Sequence, residues 1–412
     1  MGSFSTSLAG LEADSQDLSV ISNNLANLNT VAYKGATASF QDLFYQQIGS
    51  SGDGNPIQVG VGTKVGSIPA DFTQGTIQST GVSTDVAIEG NGFFVASDNG
   101  TQVYTRAGNL SVNADGILQT SDGATILGLP AVNGVINPNA TPGPLTLSSG
   151  QISPPNTTTT VGLTLNLDSG TAVGQSYSTP ITVYDSLGAA HVLTYTFTNT
   201  AAGAWNYSIT IPAADVGESG APVTLNSGTL TFNGNGQLTA PAANVTGIAI
   251  DGLADGANPL TFTWDLYDAN GNGLLTQDAA ASATSSTQQD GYPSGSLSSY
   301  TINSNGVIEG TFSNGQTQAL GQILLANFPD VQGLVRDGSN EFSSSLASGA
   351  AVLGTPGAGG LGTLSGGALE QSNVDISTQF ANLILAQSGY EANAKVVTTL
   401  DTITQATINL IQ

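Results

Sequence analysis

The chain has 412 residues, of which five are basic and 29 acidic, so its formal net charge at pH 7 is -24. So acidic a chain is a poor partner for nucleic acid and for anionic membranes, and we expect neither nucleic-acid binding nor membrane insertion. The sequence contains no cysteine, which excludes disulfides and thiolate metal sites, while 39% hydrophobic residues are enough to build folded cores.

The first predicted element is a helix over Phe4 to Leu28. Its apolar residues recur mostly every three or four positions, which predicts one apolar stripe on an amphipathic helix. A stripe of this kind needs a partner, and the residues for which we predict such contacts are Leu8, Leu11, Leu18, Ile21, Leu25 and Leu28. The N-terminus has neither basic residues nor an apolar core of the signal-peptide type, so we expect no cleaved secretory signal.

Asparagines cluster near the end of this stripe, where they are poor mid-helix residues. One interpretation is that they end the helix before Thr30. The other is that their side-chain amides form hydrogen bonds between packed subunits. On the second interpretation the predicted contacts also include Asn23, Asn24 and Asn27, with Asn29 following them.

The middle of the chain reads as β-structure. Residues 31–70 are predicted to be a linker or extended region, with the glycine-rich GVGTK at 60–64 connecting helix to β-domain. Beyond it, dipeptides such as Asn99-Gly100 and Asn133-Gly134 alternate with short β-branched runs, which predicts antiparallel hairpins. Proline and glycine clusters divide this region into an inner β domain, 71–146 plus 285–369, and an outer β domain, 147–284, inserted in it.

A second amphipathic helix is predicted from Ile376 to Ile411. Ser372 and Asp375 precede it with the spacing of a capping box, and at 1.5 Å per residue it is roughly 50 Å long. Its predicted contact residues are Ile376, Phe380, Leu383, Ile384, Tyr390, Ala394, Val397, Ile408 and Ile411. The predicted fold is therefore mainly β with terminal α-helices. The chain runs out and back, and its ends, 1–30 and 370–412, pair in a coiled-coil-like core.

Catalytic and metal-binding interpretations fit the sequence poorly. Asp251, Asp255, Asp265 and Asp268 are candidates for the carboxylate pair of a glycosidase, but they lie mostly in turn-like sequence. The single histidine, His191, stands in a predicted strand without the partners of a catalytic triad. The DANGNG turn at 268–273 resembles the start of an EF-hand loop but has Ala279 where the bidentate glutamate belongs. We expect no enzyme activity, no cofactor and no metal.

Several segments resemble the rod and hook proteins that form the axis of the bacterial flagellum, most closely the hook proteins. The terminal segments SNNLANLNT, from Ser22, and GGALEQSNVD, from Gly366, are similar to those shared by rod and hook proteins. The segments YDSLGAAHVLTYTF, from Tyr184, and GTFSNGQTQALGQILLANFPDVQGL, from Gly310, are hook-like. Ala32 departs from the pattern, because the family usually has glycine there.

The resemblance implies a structural subunit of the hook, the curved tube that transmits motor torque to the filament as a universal joint. It implies a homopolymer that meets the flagellar rod, hook cap and hook-filament junction proteins, outside the cell and exported by the type III route. Another axial protein, from the distal rod or associated with the hook, is the alternative. A surface adhesin is a more distant one, because it should carry a secretory signal and a membrane anchor.

Overall fold

A computed structural model of the protein describes residues 2–148 and 150–410. These residues form two compact units. The first unit contains residues up to 148, residues 299–310 and residues from 318 onward, so both ends of the chain belong to it. The second unit contains residues 150–298 and 311–317. The predicted four-part division into helices, linker, inner and outer β domains stays a prediction.

Two long helices belong to the first unit, α1 (Gly2–Ala26) and α2 (Ile376–Leu410). The cap of α2 differs from the prediction: Asp375 Oδ1 accepts the Thr378 N–H at 2.7 Å, so Asp375 is the N-cap residue. Ser372, predicted as the cap, instead accepts the Val374 N–H within a turn. Across the described residues, neither helix has the combination of length and hydropathy required to cross a membrane.

The region after α1, predicted as a linker or extended region, contains a β-hairpin arm. The arm consists of two antiparallel ladders, β1 with β4 and β2 with β3. Its strands are β1 (Ser39–Asp42), β2 (Tyr45–Ser50), β3 (Pro56–Gly60) and β4 (Thr63–Ser67). The arm approaches α1 closely at Gly62, where a Cβ atom would lie 2.9 Å from the Ala9 Cβ. The backbone φ of Gly62 is +119°, a second reason for glycine here.

The outgoing chain of the first unit forms short strands joined by tight turns. Hairpins β7–β8 and β11–β12 turn at Asn99-Gly100 and Asn133-Gly134, and all four residues have positive φ, as the dipeptides predicted. The strands are β5 (Ile77–Ser79), β6 (Val86–Glu89), β7 (Phe93–Asp98), β8 (Thr101–Thr105), β9 (Ser111–Val112), β10 (Leu118–Gln119), β11 (Thr125–Val132), β12 (Val135–Ile136) and β13 (Gly143–Pro144).

The second unit is a pair of sheets with a large apolar core. One sheet has the antiparallel order β16-β17-β18-β19-β20, and the other has the order β21-β22-β15-β23, with β24 also on β15. The strands of the two sheets are β15 (Thr160–Asn166), β16 (Ser176–Tyr184), β17 (Ala190–Ala201), β18 (Ala204–Ile211), β19 (Val223–Phe232), β20 (Leu238–Ala240), β21 (Val245–Ile250), β22 (Leu260–Asp265), β23 (Leu275–Thr276) and β24 (Ala283–Gln289). Outside these sheets, β14 (Ile152–Ser153) pairs with β25 (Gly295–Ile302), whose residues 299–302 belong to the first unit.

Alternation along these strands builds the core of the second unit, because every second side chain points inward. Trp264 is fully buried, with its ring centroid 5.1 Å from that of Tyr195 and 5.0 Å from that of Tyr207. Most ladders are antiparallel, as predicted. Strand β15, however, pairs in parallel with β22 and β23, which the long intervening chain permits.

The returning chain completes the first unit. Its strands pair with those laid down on the way out: β27 with β11, β28 with β7, β30 with β8, β32 with β6 and β33 with β5. They are β26 (Val307–Phe312), β27 (Thr317–Ile323), β28 (Leu325–Asn327), β29 (Val335–Gly338), β30 (Glu341–Ser343), β31 (Val352–Gly354), β32 (Thr363–Gly366) and β33 (Ala368–Glu370). The predicted class, mainly β with paired terminal helices, is confirmed.

Candidate assembly interface

The two terminal helices pack against each other in antiparallel directions. Asn393 on α2 donates to the Asp14 carboxylate on α1 at 2.9 Å, and Asn24 reaches Gln379 at 3.2 Å. Glycine permits the close approach: a Cβ atom on Gly10 would lie 2.7 Å from the Asn393 amide nitrogen. Since residue 10 faces residue 393, the end of α2 runs past the start of α1, and every side chain from 401 to 409 is exposed.

Pairing leaves much of the predicted apolar stripe uncovered. Ile21 is buried, whereas Leu8, Ile376, Phe380, Ile384, Tyr390 and Ile408 are exposed. The half-buried members are Leu11, Leu18, Leu25, Leu28, Leu383, Ala394 and Val397. Ile411 lies outside the described residues. A single antiparallel contact therefore uses one side of each helix and leaves an apolar surface on the other.

Further exposed apolar residues extend this surface beyond the predicted set. On the helices they include Leu385, at 70% exposure, and Val396 and Ile403. On the β-hairpin arm they are Phe40, Phe44, Tyr45, Ile48, Ile57 and Val59, with Phe44 at 93% exposure. Sequence periodicity gave no strand prediction for the arm because β1, β2 and β3 are exposed along their whole length and show no alternation of burial.

The asparagine cluster resolves into different roles. Helix α1 ends at Ala26, before Thr30, as the first interpretation predicted. Asn24 is 2% exposed and clamps the chain to itself: its amide donates to the Ala36 carbonyl at 2.7 Å and accepts the Ala36 N–H at 3.0 Å. Its amide is therefore occupied within the subunit. Asn23, which is exposed, and Asn27, which is half-buried, contact each other at the helix end.

Just beyond α1, a buried ionic node joins three distant segments. Glu370 on β33 binds Lys34 Nζ at 2.7 Å and Arg106 Nε at 2.9 Å, and it also accepts the Gly75 N–H at 2.8 Å. The Lys34 and Glu370 side chains have no exposed surface. Burial lowers the pKa of Lys34, and its hydrogen bond to Glu370 opposes that shift. Sequence reasoning missed this node because its members are up to 336 positions apart.

Neighbouring contacts extend the node along the segment after α1. Arg336 donates to the Lys34 carbonyl at 2.6 Å and lies over the Tyr33 ring at 5.7 Å. Asn373 accepts the Gly35 N–H at 2.9 Å. Ala32 is 3% exposed with a φ of +55°, and its N–H reaches the Glu370 carbonyl at 2.8 Å. The two terminal motifs of the sequence thus meet here and attach the helix pair to the β-structure of the first unit.

Family models match the chain in four successive segments. Residues 4–34 match "Flagella basal body rod protein", and residues 87–166 match "Flagellar hook protein FlgE/F/G D1 domain". Residues 172–292 match "Flagellar basal body protein FlaE D2 domain", and residues 365–410 match "Flagellar basal body rod FlgEFG protein C-terminal".

Relatives named "Flagellar hook protein FlgE" match along the whole length. The one from Salmonella typhimurium is 38% identical over 99% of this chain and 100% of its own, and the one from Treponema pallidum is 33% identical over 100% and 99%. The crystal structure of Helicobacter pylori flagellar hook protein FlgE2 aligns with 70% of this chain and 98% of its own at 16% identity, with a TM-score of 0.48.

Proposed function

The chain belongs to the flagellar hook protein family, and we propose that it is a structural subunit that assembles with copies of itself into the curved tube of the hook. In this role it serves as a universal joint that carries motor torque to the filament. The family is one of structural proteins, and the function rests on contacts between subunits.

The observation that carries this proposal is the apolar surface that remains after α1 and α2 have paired. Phe380, Ile384 and Leu385 are half or more exposed, and Ile403 and Ile408 lie in the part of α2 that passes the start of α1. Burying one such side chain is worth about 1.5–3 kcal/mol. Several of them along a long helix therefore favour association strongly, and helices of neighbouring copies offer the matching surface.

The β domains carry a polar surface, unlike the apolar one of the helices. In the second unit, exposed hydroxyls pair across strands, for example Ser176 with Thr198 at 2.7 Å and Ser178 with Thr196 at 2.9 Å. Such groups exchange hydrogen bonds with water or with a neighbour at small net free energy. We propose that permanent adhesion lies in the terminal helices, while the inner and outer β domains slide as the tube bends.

The predicted partners and location follow from this role as further proposals. The hook subunit meets the flagellar rod at one end and the hook cap, then the hook-filament junction proteins, at the other. It lies outside the cell and leaves through the type III route without a cleaved signal. Helices whose apolar faces are covered only by neighbouring subunits are marginally stable before assembly, which suits export of an unfolded chain.

Polymerisation tests the proposal directly. The full-length chain should form curved tubes, seen by sedimentation and negative-stain electron microscopy, and deletion of Ile376 to Gln412 should abolish them.

The double variant Ile384→Ser/Leu385→Ser should raise the concentration needed for assembly at least tenfold. Its control, Val132→Ser/Val135→Ser, removes equally exposed residues from a hairpin, at 70% and 69% exposure, and should assemble normally. Straight rods from the full-length chain, or tubes from the truncated one, would overturn it.

A further inference from the structure

Three carboxylates from separate loops converge on His191 in the second unit. His191 Nε2 lies 3.1 Å from Asp185 Oδ2 and 3.9 Å from Asp255 Oδ2, while its Nδ1 lies 3.2 Å from Asp215 Oδ2. Asp185 is in the turn between β16 and β17, Asp215 in the short helix after β18, and Asp255 in the loop before β22. The sequence predicted only a strand residue at 191.

The carboxylates are oriented toward the ring by hydrogen bonds on their other oxygens. Asp185 Oδ1 accepts the N–H groups of Leu187 and Ala189 at 2.8 and 2.9 Å, which leaves Oδ2 facing His191. Asp255 Oδ1 accepts the Ala257 N–H at 3.0 Å, while its Oδ2 lies on the side of Asp185 and His191. Backbone hydrogen bonds within the two loops therefore fix the positions of the Asp185 and Asp255 carboxylates.

The hydrogen-bonding pattern of the His191 ring indicates which charge is favourable beside it. A neutral ring has one N–H, which it can donate either from Nδ1 to Asp215 at 3.2 Å or from Nε2 to Asp185 at 3.1 Å. Whichever nitrogen carries the proton, the other turns its lone pair toward a carboxylate oxygen, and when that nitrogen is Nε2 it faces the Oδ2 atoms of Asp185 and Asp255. A positive charge beside Nε2, either a second ring proton or a metal ion, removes this repulsion.

The excess of acidic residues in the second unit favours a metal ion over a second ring proton. Residues 150–298 and 311–317 contain no Lys and no Arg, so His191 offers the only positive charge in the unit. Protonation leaves three carboxylates against one imidazolium, whereas a divalent ion offsets two of them. The acidic residues of the unit are Asp168, Asp185, Asp215, Glu218, Asp251, Asp255, Asp265, Asp268, Asp278 and Asp290.

The spacing also fits a coordination shell. The ligand atoms of Asp185, His191 and Asp255 lie within 4.8 Å of one another. Two ligands on one metal at about 2.0–2.1 Å lie roughly 2.9–3.4 Å apart, which matches the Asp185–His191 distance of 3.1 Å. Asp255 Oδ2 lies 3.9 Å from His191 Nε2 and has to move closer by about 0.5 Å to complete the shell. Asp215, on the far side of the ring, is where a carboxylate commonly fixes the orientation of a metal-bound histidine.

We propose that Asp185, His191 and Asp255 bind a divalent transition-metal ion such as Zn²⁺, with Asp215 as a positioning residue. An imidazole with two carboxylates suits Zn²⁺ and its neighbours, whereas Ca²⁺ and Mg²⁺ prefer shells of oxygen alone. The Asp255 side chain is 32% exposed, so an ion can enter from solvent. Binding would fasten the loop of Asp255 to the hairpin that carries Asp185 and His191, independently of the assembly role.

Calorimetric titration of the full-length monomer with ZnCl₂, after dialysis against EDTA, tests the site. We expect one Zn²⁺ per chain, at least tenfold weaker binding by Asp255→Asn, and no binding by His191→Gln. Asp255→Asn keeps the oxygen that accepts the Ala257 N–H, so this variant should fold. Asp251→Asn, four residues away and exposed, is the matched control and should bind like the parent.

The nitrogen NMR signals of the single histidine give a second readout, since no other residue contributes to them. We expect Zn²⁺ to shift the Nε2 signal, while Ca²⁺ or Mg²⁺ at the same concentration leaves it unchanged. The proposal is overturned if Zn²⁺ does not bind, which would mean that the place holds only a proton. It is also overturned if Asp255→Asn and Asp251→Asn bind alike, or if Ca²⁺ binds as well as Zn²⁺.

Discussion

Glu370 is the residue on which the attachment of the helices to the first unit depends most. It pairs with Lys34 from the segment after α1 and with Arg106 from the segment after β8, all within a region closed to water. Desolvation makes such a pair of modest net value while it is intact. Removing one partner lowers stability much more, because the remaining charges stay buried without compensation.

We therefore expect Glu370→Gln to destabilise the first unit by about 3–5 kcal/mol, measured by chemical denaturation of the monomer. The change keeps the shape and removes only the charge that Lys34 and Arg106 share. Glu89→Gln, which alters an exposed glutamate of the same unit, should stay within about 0.5 kcal/mol of the parent. Adding Lys34→Met to Glu370→Gln should recover part of the loss. Equal effects of the two glutamate changes would contradict a buried node.

Glu341 makes the stability of the first unit depend on pH. Burial, followed by the negative charges of Asp122, Asp98 and Asp337, raises its pKa to about 7 from an ordinary value of 4.5. Between these values the folded chain binds a proton that the unfolded chain has lost. Its stabilising contribution is thus complete below pH 4.5 and is lost as the pH rises through 7.

The variant Glu341→Gln should remove this part of the pH dependence, because glutamine stays neutral. The free energy of unfolding of the variant minus that of the parent should increase as the pH rises from 5 to 8. Denaturation curves recorded at each pH measure this difference. Glu89→Gln should follow the parent curve throughout. A parent-minus-variant difference that is constant across this range would show that Glu341 does not titrate there.

Ala32 shows how a departure from a family pattern can be accommodated. The family resemblance of the sequence implies glycine at this position, and the structure gives Ala32 a φ of +55°. That conformation costs an alanine about 1–2 kcal/mol. Glycine would avoid this but would lose about 0.8 kcal/mol for the buried methyl and a further 0.4–1 kcal/mol through greater freedom of the unfolded chain. The two effects nearly cancel, so alanine is tolerated.

Among the elements, the α1–α2 pair depends on close packing at Gly10. Gly10→Leu should separate the helices, because even the Cβ atom would lie 2.7 Å from the Asn393 side chain, which binds Asp14. We expect a loss of about 1–3 kcal/mol, followed by far-ultraviolet circular dichroism during denaturation. Ser15→Leu introduces the same residue on an exposed face of α1 and should have little effect. Equal losses from both variants would mean that α1 does not pack through Gly10.

Sequence patterns predicted the elements much better than the contacts between them. The predicted helices Phe4 to Leu28 and Ile376 to Ile411 correspond to α1 and α2, because their apolar residues keep a helical period. The strands of the arm at residues 39–67 could not be recognised as a hairpin because β1, β2 and β3 are exposed on both faces. The Lys34–Glu370 node and the carboxylates around His191 could not be predicted, because they depend on residues that only the fold brings together. Which stripe residues contact a neighbouring subunit stays a prediction.

For the whole molecule, the two units should unfold independently, because each has its own core. Both tryptophans of the chain, Trp205 and Trp264, are buried in the second unit, whereas α1 and α2 belong to the first. Tryptophan fluorescence therefore reports on one unit, and the helical dichroism signal mainly on the other. Deletion of 376–412 should lower the helical signal and leave the fluorescence midpoint unchanged.

The reciprocal variant is Leu163→Ala, which removes a fully buried side chain from the core of the second unit. It should lower the stability seen by fluorescence by about 2–5 kcal/mol and leave the helical transition in place. If either change moves both transitions together, the chain unfolds as one cooperative body. The outer β domain could then not slide while the terminal helices hold the tube together, because both would respond as one body.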